Sequence, residues 1–214
     1  MKTLLPTHTF FIWLFLVLFS FQAHADDVER KNLLIVGDSL SAAYGIDSDA
    51  AWVELLKDRL EQETPGTWNV ANASISGETT DGGLRRLPDL LDKHNPAIVV
   101  IELGGNDGLR GFPPDVIRNN LAKMIHLSQQ QGAEVLLVGI EIPPNYGPRY
   151  TTAFADVYSS LAEEYNLAFL PFFLADVYDG EAMMQADGIH PTAKAQPQLL
   201  DNIWSELLAL LDLD

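Results

Sequence analysis

The chain has 214 residues, 47% of them hydrophobic and 20% charged, with a net charge of −17 and no cysteine. That length suffices for one domain with a sizeable core. The negative surface repels nucleic acid and anionic membrane faces, and the lack of thiols excludes a cysteine nucleophile, a thiolate zinc site and disulfides.

The chain opens with Lys2 and an apolar run from Phe10 to Phe21, interrupted only by Ser20. This run is too short for a comfortable permanent anchor, and Ala23-His24-Ala25 follows as a small-x-small cleavage site. Residues 1–25 therefore read as a secretory signal peptide and 26–214 as a single domain. The expected location is periplasmic or secreted, with no stable membrane anchor after cleavage.

From there strand and helix patterns alternate. Asn32–Val36 reads as a buried strand. Ala51–Glu63 reads as a helix, with Trp52, Leu55, Leu56 and Leu60 at helical spacing. Thr67–Ala71 is a second strand. Leu84–His94 follows as a helix with an irregularity expected near Pro88. Ala97–Leu103 is the strongest strand in the chain. Pro114–Gln131 is an amphipathic helix with Gly132 as its C-cap, and Glu134–Ile140 is the fourth strand. Tyr150–Tyr165 reads as helix, Ala168–Leu170 as a short fifth strand and Thr192–Leu211 as a closing helix. Strands apolar on both faces, alternating with helices, imply an α/β fold: a parallel sheet covered on both sides, in a doubly wound three-layer α/β/α sandwich. Ligands in such sheets bind beyond the carboxyl ends of the strands. Ser39, the Gly77 segment and the Asn106 segment each follow a strand, so all three fall on that edge.

Two segments carry chemistry. Gly37-Asp38-Ser39-Leu40-Ser41 follows the first strand directly, and Asp187-Gly188-Ile189-His190-Pro191 stands near the end. A serine hydroxyl becomes a nucleophile when an imidazole takes its proton, and a carboxylate holds that imidazole's tautomer. Each segment alone also reads as a turn or a helix start. Three of the five histidines lie beyond residue 25. His94 sits at the polar end of a helix and His126 inside one, which leaves His190, three residues after a carboxylate, as the candidate base. The serine is not in a Gly-x-Ser-x-Gly elbow, which weighs against the α/β-hydrolase fold.

Four short blocks in order now carry a resemblance: Gly37-Asp38-Ser39-Leu40-Ser41, Asn72-Ala73-Ser74-Ile75-Ser76-Gly77-Glu78-Thr79, Gly104-Gly105-Asn106-Asp107 and Asp187-Gly188-Ile189-His190-Pro191. The chain resembles the SGNH, or GDSL-type, hydrolases over essentially all of residues 26–214. Leu103–Gly111 and Asn145-Tyr146-Gly147 resemble its secreted bacterial branch of multifunctional acyl-CoA thioesterases, also described as lysophospholipases, proteases and arylesterases. Glu78 stands where that branch is expected to have aspartate, and Pro144 and Pro148 imply a stiffer loop.

The resemblance implies a five-stranded, flavodoxin-like sheet and a serine esterase acting on acyl esters and thioesters. Ser39 is the expected nucleophile, His190 the general base and Asp187 its orienting carboxylate. The backbone N–H groups of Ser39 and Gly77 and the side-chain amide of Asn106 are the expected oxyanion hole. Asp38 and Asp107 read as structural. Leu109, Phe112, Ile142, Pro143 and Tyr146 are candidates to line an apolar acyl groove, on a small-molecule acyl ester or lipid substrate. No metal, cofactor or nucleic-acid partner is implied, and a monomer is expected. A carbohydrate acetylesterase on the same fold is the alternative, and a non-catalytic exported binding protein is the least favoured reading.

Overall fold

The computed structural model describes residues 30–211. The export signal read over residues 1–25 lies outside them. Five parallel strands form one sheet: β1 (Lys31–Gly37), β2 (Trp68–Asn72), β3 (Ile98–Glu102), β4 (Glu134–Val138) and β5 (Ala168–Leu170). Their spatial order is β2-β1-β3-β4-β5, the flavodoxin-like arrangement. Every residue of β3 is buried, as a central strand covered on both faces requires.

Among the described residues there are six α-helices: α1 (Trp52–Glu63), α2 (Thr80–His94), α3 (Gly105–Leu109), α4 (Pro114–Gln130), α5 (Pro148–Tyr165) and α6 (Gln196–Leu208). α1 packs on α6, while α4 packs between α2 and α5, which makes the two outer layers. Leu33, Leu34, Ile35, Val36, Val99, Val100 and Ile101 are completely buried between them. Burial of each such side chain contributes roughly 1.5–3 kcal/mol. Among the described residues no helix is long and apolar enough to cross a membrane.

Most of the strands fall within a residue or two of their expected bounds. Gly132 does end α4: with φ +83°, it lets the Gly132 N–H reach the Gln129 carbonyl at 3.0 Å and the Ala133 N–H reach that of Ser128 at 3.1 Å.

Three elements differ from expectation. α2 starts at Thr80, four residues before Leu84, and runs unbroken through Pro88. The Thr79 side chain caps the Gly82 N–H, and Asp107 accepts from the Thr80 N–H at 2.9 Å and hydroxyl at 2.6 Å. These tertiary partners outweigh the poor helix propensity of Gly82-Gly83. No element was expected directly after β3, where Gly105–Leu109 forms the one-turn helix α3, entered through Gly104 at φ +117°. The closing helix is split, with a 3₁₀ turn at Ala193–Ala195 before α6.

Sheet register positions the site. Gly37, the last residue of β1, pairs with Glu102, the last of β3. The turn holding Ser39 and the helix holding Asn106 therefore leave neighbouring strands at the same level, where strand order reverses. A crevice opens there in doubly wound sheets.

Candidate active site

Past β1 the chain turns sharply, with the Ala42 N–H bonded to the Asp38 carbonyl at 3.0 Å. Ser39 sits half-buried on this turn. Its Oγ lies 3.0 Å from His190 Nε2, across 151 residues of sequence. His190 Nδ1 lies 2.8 Å from Asp187 Oδ2. The other Asp187 oxygen accepts the backbone N–H groups of Ile189 at 2.9 Å and His190 at 3.1 Å. One carboxylate thus orients the ring and folds the loop that carries it, with Gly188 at φ +68° allowing the tight return. The hydrogen bond to His190 is the main cause holding the Asp187 carboxyl down at about 2, reinforced by those two backbone donors.

Two residues without an expected role hold this loop in place. Tyr44 packs its ring on His190, with centroids 4.3 Å apart. Gln185 donates to the carbonyls of Tyr44 and Pro191, both at 2.9 Å, which ties the histidine loop to the serine turn.

The Gly77 segment reaches the same place because pairing with β1 continues past β2. The Ala73 N–H bonds the Ile35 carbonyl at 2.9 Å, and the Ile75 N–H bonds that of Gly37 at 3.1 Å. Gly77 has φ +78°, and its carbonyl accepts from Arg110 at 3.1 Å. Glu78 accepts from Arg86 Nε at 2.9 Å, and Arg86 also donates to the Ala73 carbonyl, closing the segment on itself. Asn106, on α3, donates its side-chain amide to Asp38 Oδ2 at 2.9 Å.

Asp38 is buried, and burial pushes its carboxyl up to about 6 against the hydrogen bonds from Leu40 and Asn106 and the charge of His190. The native state therefore holds this proton more tightly than the unfolded chain does. Its contribution to stability is fully present below the ordinary value of 3.8 and lost as pH rises through about 6. The span is worth at most about 3 kcal/mol. We expect the urea midpoint to fall between pH 4.5 and 7.5, and to fall less in Asp38→Asn; equal falls would show that Asp38 does not titrate in this range.

The serine, histidine and asparagine line one end of a cavity of about 270 Å³. The remaining wall is mostly apolar. Leu109, Ile142 and Pro143 lie in it, joined by Ile140, Phe172, Leu174, Tyr178 and Ile189, which were not among the expected groove residues. Phe112 and Tyr146 do not line it. The Tyr146 hydroxyl instead donates to the Leu109 carbonyl at 2.7 Å, and that of Tyr150 to the Phe112 carbonyl at 2.5 Å. Tyr146 thus meets the groove from behind, through Leu109 and through its own N–H on the Pro143 carbonyl at 3.2 Å, and Phe112 stays at the surface. Periodicity distinguishes apolar from polar faces, but not which of two neighbouring loop residues turns inward.

A serine, a histidine and an aspartate in hydrogen-bonded series, at the carboxyl edge of a parallel sheet, is the arrangement of a serine hydrolase. The model of the GDSL-like Lipase/Acylhydrolase family matches residues 35–196, and the chain belongs to that family. It is 54% identical to Esterase TesA of Pseudomonas aeruginosa, over 92% of this chain and 94% of that protein. It is 46% identical to Thioesterase 1/protease 1/lysophospholipase L1 of Escherichia coli, over 94% of this chain and 93% of the other. The crystal structure of a TesA superposes with a TM-score of 0.82 at 55% identity, over 85% of this chain and all of that one.

Proposed function

We propose that this protein hydrolyses acyl esters and thioesters through an acyl-enzyme on Ser39. The observation that carries the reading is the Asp187–His190–Ser39 series opening into an apolar cavity. The acyl chain lies in the cavity, with its carbonyl carbon against Ser39 Oγ. His190 Nε2 takes the hydroxyl proton as the bond forms, and Asp187 stabilises the resulting imidazolium. The carbonyl oxygen gains negative charge and is met by the N–H groups of Ser39 and Gly77 and by the Asn106 amide. Such donors are arranged before the charge develops and so cost no reorganisation during reaction. His190 then gives its proton to the leaving alcohol or thiol. Water, deprotonated by the same ring, releases the acid.

The substrates are aryl esters, lysophospholipids and acyl thioesters of medium to long chain, since an acetyl group would leave most of the cavity unfilled. The Phe10–Phe21 run and the Ala23-His24-Ala25 site support export, to the periplasm or the medium. One chain supplies the hydrogen-bonded Ser39–His190–Asp187 series, and a monomer is the proposed state.

Hydrolysis of p-nitrophenyl esters from acetate to palmitate by residues 26–214 tests the reading. Maximal kcat/KM at intermediate to long chains is expected. A rate confined to acetate would move the assignment to carbohydrate deacetylation, and no rate at any length would overturn it.

A further inference from the structure

Beneath the Ser39 turn lies a carboxyl group that the acyl-transfer steps leave unused. Glu102 ends β3 and is completely buried. Its Oε2 accepts the backbone N–H of Asp38 at 3.2 Å and the hydroxyl of Ser41 at 2.8 Å, the residues on either side of Ser39-Leu40. Among the described residues its Oε1 has no hydrogen-bond partner. Asp38 in turn spreads its carboxylate over the Leu40 N–H at 3.0 Å and the Asn106 amide at 2.9 Å. Gly37 makes room for this: a Cβ there would stand 2.6 Å from Glu102 Oε2.

We propose that Glu102 is a positioning residue for the reaction, a neutral acid that clamps the main chain on both sides of Ser39 and, through Asp38, fixes the direction of the Asn106 amide. The inference rests on the Ser39 reading above. The clamp joins β1 to β3 at the level where they pair, so one side chain sets the nucleophile and an oxyanion donor relative to each other.

Neutrality follows from the surroundings. An ionised carboxylate with one oxygen buried and unpaired is far more costly than the uncharged acid. The groups facing the Asp38–Glu102 pair are Asp107 on α3, Tyr158 on α5 and His190, and only His190 can become a cation. Burial, then the neighbouring Asp38, drives Glu102 well above the carboxylate range. A second negative charge here would oppose the oxyanion, whereas a neutral acid holds the turn without that penalty.

The test compares Glu102→Gln, Glu102→Leu and Ser41→Ala in the full domain, reading kcat, KM and the pH profile of kcat on p-nitrophenyl octanoate, with folding followed by circular dichroism. Glutamine keeps an uncharged acceptor, so kcat should stay within about threefold of the wild type and the acid limb should not move. Leucine removes the acceptor, and kcat should fall about 100-fold with KM within threefold, as a misplaced catalytic group predicts. Ser41→Ala removes one hydrogen bond without opening the core, so kcat should fall about fivefold at unchanged KM even if the leucine variant does not fold. A glutamine variant as poor as the leucine one, or an acid limb displaced by a full pH unit, would show that a charge is needed and overturn the proposal. Unchanged kcat in Ser41→Ala would do the same. Full activity in Ser39→Ala would instead defeat the underlying assignment.

Discussion

Ser39→Ala is expected to lower kcat on p-nitrophenyl octanoate by about 10⁴-fold or more. The substitution deletes the atom to which the acyl group must bond, and no other hydroxyl lies within reach of His190 Nε2 among the described residues. The cavity and the oxyanion donors stay, so a small residual rate over water is expected from them. Stability should hardly change, because among the described residues the Ser39 hydroxyl makes one side-chain hydrogen bond, the 3.0 Å one to His190, and the residue is only half-buried. A melting temperature close to the wild type, together with lost turnover, separates this from unfolding. A variant that kept its turnover would remove the acyl-enzyme from the mechanism.

Asp187→Asn should lower kcat by about 10³–10⁴-fold. The asparagine oxygen can still accept the Ile189 and His190 N–H groups, so the loop keeps its shape. Its amide then faces His190 Nδ1 as a donor, which forces the ring proton onto Nε2, and a protonated Nε2 cannot take the Ser39 proton. The sign of the pH dependence follows from the carboxyl being held at about 2. Its contribution to stability is present above the ordinary value of 3.8 and is lost as pH falls through about 2, so Asp187 remains ionised wherever the enzyme works. Loss of activity on mild acidification therefore does not report Asp187. The check is kcat of Asp187→Asn across neutral to alkaline pH. A variant retaining more than a tenth of wild-type kcat would show that tautomer control is not Asp187's task.

The reactive groups were legible because they sit in short contiguous blocks. Asp187 and His190 are three residues apart, and a loop of that length lets the carboxylate reach both the ring and the backbone between them. Ser39 and Asn106 each follow a strand that reads as buried from its apolar run alone, so their place at the carboxyl edge followed from the fold class. The cavity wall was only partly legible. Leu109, Ile142 and Pro143, which lie in that wall, flank recognisable loops, whereas Phe172, Leu174 and Tyr178 come from the segment after β5, whose apolar residues look like ordinary core. The start of α2 was misplaced because its cap depends on Asp107, 27 residues away.

What the sequence by itself determined is the alternation of strands and helices and the identity of the chemical groups, since both depend on local periodicity and on residue type. Only the tertiary structure decided that Tyr146 braces the groove through Leu109, that Tyr44 covers the His190 ring, and that Glu102 lies under the nucleophile turn. Glu102 ends a strand that reads as buried, yet nothing local says whether its carboxyl meets solvent or a partner. That choice is made by the register of β1 on β3, which brings Gly37 opposite Glu102 and buries the acid against the Asp38 amide and the Ser41 hydroxyl.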